Sequence, residues 1–237
     1  MIDPVSIPEA AQALGLSSAR VRAMASHGQL SATKIGARWL VERAAVEQRR
    51  SLGAHGGRPF ASHNAWALLL LASGEEFEGI DPSVRSRLRR ALELEGLERL
   101  APRLGLRAKV LSFSAHPGEI PYLIDEPALM KSSISAAASQ GIGLVSGREV
   151  DGYLQEDGLK KFAERHALMA AGLEGNVHLR LVPDQAWGLL DKRSMAPAAA
   201  VALDLAEEPD SRSAKAGLKA LREIDRRHRA RRNGRKP

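Results

Sequence analysis

The sequence predicts a mostly α-helical chain with small β elements, an α+β protein made of a small N-terminal module, a larger α+β body and C-terminal helices. Three observations carry this reading. Apolar residues make up 44% of the chain but aromatic ones only 4%, so the core must be built from Leu, Ala, Val and Ile. Leu and Ala enter helices at little entropic cost. Helix-start residues recur ahead of apolar periodic stretches, at Ser6, Ser17 and Asp81. Two runs alternate as strands do, Arg107 to Ser114 and Asn176 to Val182, the second with Val177, Leu179 and Leu181 on one face. A length of 237 residues suits one small module joined to one larger domain.

The module occupies 1–52. Ser6-Ile7-Pro8-Glu9 is a capping box: Ser6 can cap the first-turn amides and Glu9 can reach back to the Ser6 amide. Pro8 is tolerated there because first-turn amides have no helical partner. The helix continues through Ala10, Ala11 and Leu14, and Gly15 ends it. After Leu16, Ser17 caps a second helix that carries Val21, Met24 and Ala25 on one face and ends at Gly28. Leu30 to Val41 reads as a β-hairpin around a tight turn at Ile35 to Ala37, and Glu42 to Arg50 as a third helix. Residues 53–59, rich in glycine, read as a linker.

The body spans 60–225. Helices are expected at 62–73, from Asp81-Pro82-Ser83 to Glu95, and at 96–104, followed by the strand 107–114. His116 to Gly141 reads as helix broken by Pro117, Pro121 and Pro127. Strands are expected at 142–146, 149–154 and 176–182, with a helix at 156–167. Helices at 197–207 and 211–229 close the chain, and 226–237 forms a basic tail.

The charge distribution points to a partner. The net charge is +7, but 226–237 holds seven Arg or Lys and no acid, and 1–60 holds eight against four. The stretch between is slightly acidic, with twenty against twenty-four. Basic ends on a near-neutral body suit a polyanion, with nucleic acid first; a tail that serves solubility alone is the competing reading. Two capped helices across a short turn leave the second standing clear, with its first turns offered to a major groove. That helix presents Ser17, Ser18, Arg20 and Arg22, residue types that contact phosphates or base edges. Lys34 and Arg38 flank the hairpin turn, placed for the neighbouring backbone or minor groove. Arg43, Arg49 and Arg50 read as a solvated face, Trp39 as a core lid over the first helix, and His27 as a partner of a helix dipole.

Residues 5 to about 48 resemble the excisionase-like and MerR-like winged helix-turn-helix family, through Ser17, Val21, Gly28, Leu30, Lys34-Ile35-Gly36 and Arg38-Trp39-Leu40-Val41. The resemblance implies that the second helix enters the major groove and that the hairpin is the wing. Ala19, Ala23 and Ser26 stand where relatives often carry basic or aromatic residues, so affinity is expected to lean on the wing and on other segments.

Residues from about Leu106 to Leu221 resemble the C-terminal part of actinobacterial antitoxin-like regulators of the abortive-infection, type IV class. The stretches that carry this are Ala115-His116-Pro117 with Ile120-Pro121, Ser133 to Ala138 with Gly141 to Gly147, Glu149 to Tyr153, Gly175 to Val177 with Leu179 to Pro183, and Ala198 to Asp204 with Glu208-Pro209-Asp210 and Arg212. The resemblance implies a repressor of a shared promoter that opposes a nucleotidyltransferase-like toxin. Double-stranded DNA with repeated half-sites is then the expected partner, bound by a homodimer or a cooperative assembly.

Chemistry is sparse. With no cysteine, disulfides, thiolate metal sites and cysteine nucleophiles are excluded. No phosphate-binding Gly-x-x-x-x-Gly-Lys, no His-Glu-x-x-His pair and no Gly-x-Ser-x-Gly elbow occurs, and Gly141-x-Gly143-x-x-x-Gly147 misses the dinucleotide fingerprint by one residue. The expectation is a non-enzyme without cofactor or metal, cytoplasmic and nucleoid-associated, since no signal-peptide pattern or membrane-length apolar run is present. Two alternatives stay open. One is a metal-dependent nucleic-acid or nucleotide enzyme using Asp204, Glu207 and Glu208 with His116 and His178, against which an ion-paired, capping or solvated face is the plainer reading. The other is an architectural DNA binder of the excisionase kind.

Overall fold

The computed structural model describes residues 4–26, 30, 32–51, 58–143, 148–171, 175–190, 192–208 and 210–233. The N-terminal module runs β1 (Pro4–Ser6), α1 (Ile7–Leu14), α2 (Ser18–Ser26), β2 (Ala32–Ile35), β3 (Arg38–Glu42) and α3 (Arg43–Ser51). The capping box forms: Ser6 N donates to Glu9 Oε2 at 2.7 Å, and Glu9 N donates to Ser6 Oγ at 3.4 Å. Gly15, at φ +63°, ends α1 in the left-handed region that costs glycine nothing. Two residues later Ser17 Oγ accepts from Arg20 N at 3.2 Å and starts α2. Val5, Ile7, Ala10, Leu14, Val21, Met24, Leu30, Val41 and Val46 close a core of their own, with half-buried Trp39 packed against it as the expected lid. The three-stranded antiparallel sheet has the order β1-β3-β2. Strand β1 was not expected, because three residues with only Val5 buried give no alternation to read. The expected helix end at Gly28, the placement of His27 and most of the linker lie outside the described residues.

The body opens with α4 (Ser62–Ser73), whose residues Ala65 to Ala72 are all buried. A helix apolar on every side belongs at the centre of a fold, and four later helices pack around it. Then come α5 (Pro82–Glu95), capped by Asp81 Oδ1, and α6 (Leu97–Leu100). The sheet region follows as β4 (Lys109–Ser114), α7 (Ile120–Ile124), β5 (Met130–Lys131), α8 (Ser133–Ala137), β6 (Val150–Gln155), α9 (Leu159–Arg165), β7 (Met169–Ala170) and β8 (Val177–Val182). The chain finishes with α10 (Asp184–Trp187), α11 (Ala198–Glu207) and α12 (Ser211–Asn233). The strand order is β5-β6-β8-β4-β7, with β6 and β8 parallel and the other pairs antiparallel.

Alternation assigns the two faces of this sheet. Leu111, Phe113, Val150, Leu154, Val177, Leu179 and Leu181 join Ile120 and Leu123 of α7 and Phe162 of α9 in one apolar cluster. The opposite side carries Tyr153 and Val182 into the larger core with α4, α8 and α11. Three expectations need correction. Ile142 and Gly143 are irregular where a strand at 142–146 was expected, and 144–146 lie outside the described residues. The two-residue strands β5 and β7 replace stretches read as helix or loop. Helix α12 runs without a break past 226 to Asn233, so the described part of the basic tail is its last turns.

Helices α11 and α12 cross closely at Gly217. A Cβ there would stand 2.2 Å from Ala206 N and 2.7 Å from Ala202 O, so no other residue fits this crossing without moving backbone. Module and body touch through α3, which lies against α11 and whose Arg49 Nη2 donates to Pro102 O at 2.8 Å. Among the described residues no helix is long and apolar enough to cross a membrane.

Candidate nucleic-acid interface

Helix α2 buries Val21, Met24 and Ala25 and leaves Ala19, Arg22 and Ser26 exposed, with Ser18, Arg20 and Ala23 half-buried. One face of the second helix therefore stands open to solvent. Ser17 is exposed too, but its Oγ is engaged in the helix cap. Arg22 is the exposed cation of this face. Arg20 is tucked closer to the protein, near enough to Arg49 for the two charges to repel. Burial pulls the Arg49 guanidinium below its usual range, and Arg107 and Arg20 add to that while Glu207 opposes it. Arg49 thus leaves the solvated face expected of it and serves the junction with the body.

The hairpin supplies the second part. Gly36 takes φ +60° in the turn, and the register pairs Ile35 with Arg38 and Lys34 with Trp39. Cross-strand partners share a face, so Lys34 and Arg38 leave the strands on opposite sides of the wing, both exposed. Ile35 is 61% exposed at the same tip, an apolar residue next to the two cations. Helix α2 touches β3 of the hairpin, and an open helix face together with a cationic hairpin tip in one small module is a surface that a duplex can accept.

Residues 5–50 match the family model of a helix-turn-helix domain. The match thus spans the module from β1 into α3. No curated protein and no solved structure matches the chain, and the antitoxin resemblance of the body draws no support from these comparisons.

The acidic cluster of the body has a different character. Asp204 is fully buried and accepts from Arg107 Nη2 at 2.7 Å, from Tyr153 Oη at 2.7 Å and from Ser132 Oγ. Arg180 Nε lies 3.6 Å from Oδ2, the oxygen that takes Ser132. Glu207 pairs with Arg107, while Glu208 accepts from Arg180 Nη2 at 3.1 Å and from Ser133 Oγ at 2.9 Å. Burial alone would push Asp204 up, but Arg180 and Arg107 outweigh it and hold the carboxyl below its ordinary range. Asp151 goes the other way: burial and the nearby Glu208 raise it well above that range despite Arg180. The ion-paired reading of Asp204, Glu207 and Glu208 therefore holds and the solvated one does not.

The two histidines of the catalytic alternative are occupied elsewhere. His116 Nδ1 accepts from Gly118 N at 3.1 Å and caps a short 3-10 turn, and His178 Nδ1 meets Ser112 Oγ at 3.1 Å. Burial, with Arg180 adding to it, pushes His178 down to about 4. Among the described residues no group of His, Asp or Glu is arranged to hold a metal ion. Sequence reasoning missed Arg107, Tyr153, Ser132 and Arg180 as partners of Asp204. A signal existed for Arg180: with Val177, Leu179 and Leu181 on one face of the strand, it had to enter the other side of the sheet, and there it needs an acid.

Proposed function

We propose that this protein is a sequence-specific, double-stranded-DNA-binding transcriptional repressor. The observation that carries the reading is the open face of α2 beside the cationic wing, within the residues that match the helix-turn-helix family. Arg22 meets the floor or rim of the major groove, Ser18 and Arg20 flank it, and Lys34 and Arg38 hold the adjacent backbone. One such module reads only a short half-site, so useful specificity comes from a homodimer or from several copies on repeated half-sites. The body acts by binding rather than catalysis, pairing copies or meeting a partner protein. In the finer form of the proposal that partner is a nucleotidyltransferase-like toxin, the repressed promoter is the protein's own, and the site of action is the cytoplasmic nucleoid.

The test is a footprint of the purified full chain on the DNA upstream of its own reading frame. Protection of short repeated sites that survives excess random DNA is the expected result. Binding no tighter there than to random duplex rejects the repressor. For the finer form, co-expression with the product of the adjacent reading frame is decisive: relief of that product's toxicity is expected, and a harmless neighbour rejects the antitoxin role. Turnover of nucleotides or nucleic acid with a divalent metal, abolished by Asp204→Asn in a folded protein, overturns the non-catalytic reading.

A further inference from the structure

Helix α12 carries a second cationic surface far from the module in sequence. Its buried face is made of Ser213, Ala214, Gly217 and Leu221, packed on α11. Arg212, Lys215, Lys219, Arg222, Arg226 and Arg229 are all exposed and recur at alternating steps of three and four. At 3.6 residues per turn these six positions fall within an arc of about 100°, on the side opposite the packed face, and extend over about 26 Å. No acid falls within the arc. Two flanking carboxylates reach it: Glu98 takes Arg222 at 2.9 Å, and Glu223 takes Arg226 together with Arg227. Asp225 is spent elsewhere, accepting from Leu97 N at 2.7 Å and Glu98 N at 3.3 Å at the start of α6. Lys215, Lys219 and Arg229 form no ion pair among the described residues.

We infer that this stripe is a second DNA-contacting surface, a rail for the phosphate backbone of a duplex, in addition to the α2 and wing surface. The inference rests on the proposed DNA-binding role. Charge complementarity argues for it: α2 and the wing offer few exposed cations, whereas α12 sets a line of them against a polyanion that carries one charge per about 1.7 Å of its axis. The chemistry selects duplex phosphates over other anionic partners. The apolar side of α12 is buried under α11, so the helix has nothing to insert into a lipid surface. The stripe includes no aromatic residue on which unpaired bases would stack. A surface of this kind adds affinity without sequence preference.

The experiment measures binding of the full chain to a random-sequence duplex as salt is varied, for the natural protein and for Lys215→Gln/Lys219→Gln/Arg229→Gln. All three positions are exposed, and an unchanged melting temperature confirms that the variant is folded. If each lost phosphate contact lowers the log–log slope by about 0.9, the triple variant loses about 2.7 from the slope. Its deficit against the natural protein then shrinks about 40-fold between 50 and 200 mM salt. A slope equal to the natural one overturns the rail, and if Arg22→Ala/Arg38→Ala still weakens binding, the proposed function stands without it. Failure of the natural protein to bind the duplex even at 50 mM salt overturns both. An unchanged DNA slope with loss of binding to phosphatidylserine vesicles assigns the stripe to lipid and likewise overturns the rail.

Discussion

Removing the Asp204 carboxylate is expected to cost the protein a large share of its stability. Asp204 lies at the centre of the buried charge cluster, in contact with Arg107, Tyr153, Ser132 and Arg180. In Asp204→Ala two guanidinium groups stay behind, both almost fully buried, with less negative charge to face. Breaking a buried pair by deleting one partner costs about 3–5 kcal/mol, because the other charge remains desolvated. Hydrogen bonds to charged groups contribute about 1.5–3 kcal/mol each, but those around one carboxylate do not add, so the upper part of that range is the expected loss. Against a total of about 5–15 kcal/mol that is about a quarter or more of the whole. Asp204→Asn keeps the shape and one acceptor and is expected to lose less.

Urea unfolding of the full chain, followed by circular dichroism and extrapolated linearly, measures both variants. The pH dependence has a fixed sign. Asp204 is held below its ordinary value, so its contribution is fully present above about pH 4 and disappears only as the pH falls through the depressed value. The gap between the natural protein and Asp204→Asn should stay constant from about pH 5 to 8 and narrow below about pH 4. A loss under about 1 kcal/mol for Asp204→Ala would refute the reasoning, since it would mean that water, not Asp204, compensates the arginines.

Further outcomes follow from the same structure. His178 is held down at about 4 against 6.5 unfolded, so neutral His178 favours the folded state above pH 6.5 and costs stability as the pH falls toward 4. The separation corresponds to about 3 kcal/mol at most, and His178→Gln should flatten the loss in urea midpoint between pH 7 and 4.5; an unchanged pH profile contradicts the burial of the ring. Gly217→Ala gains about 1 kcal/mol of helix propensity but meets backbone at 2.2 Å, and overpacking of about 1–3 kcal/mol should win. A melting temperature that rises would show that the α11–α12 crossing is looser than described. Arg22→Ala should weaken binding to a footprinted site by about 1–3 kcal/mol if the side chain reads a base. Arg20→Ala, half-buried beside Arg49, should weaken it less, and the reverse order in a gel-shift titration would place the groove-facing side of α2 elsewhere.

Local chemistry made much of the fold readable. The Ser6/Glu9 box, Gly15, Ser17 and the Asp81 cap each act within four residues, so pattern alone located α1, α2 and α5. The apolar block from Ala65 to Ala72 and the alternation of Val177, Leu179 and Leu181 did the same for α4 and β8. What was not legible depends on distant contacts. Strands β1, β5 and β7 have two or three residues and exist because β3, β6 and β4 offer them hydrogen bonds. The partners of Asp204 are separated from it by 97 residues at Arg107 and 51 at Tyr153. At the interface, the sequence identified Arg22, Lys34 and Arg38 as exposed cations. It did not show that Arg20 is half-buried within reach of the Arg49 charge, or that Lys34 and Arg38 lie on opposite sides of the wing, since both facts depend on register and on the docking of α3.

The short rims of the body sheet bear on how the protein behaves when crowded. An unpaired strand invites a neighbouring chain to extend the ladder. Here the outer side of β5 is already taken: Lys131 N donates to Ser194 O at 3.0 Å, and Ala196 N donates to Lys131 O at 2.8 Å. At the other rim β7 covers β4 only at Phe113 and Ser114, with Ala171 N donating to Ser112 O at 3.0 Å, so the outer edge of β4 ahead of Ser112 has no partner strand among the described residues. In concentrated, natively folded protein any extension of this sheet by a neighbouring chain should therefore start along β4 and not along β5.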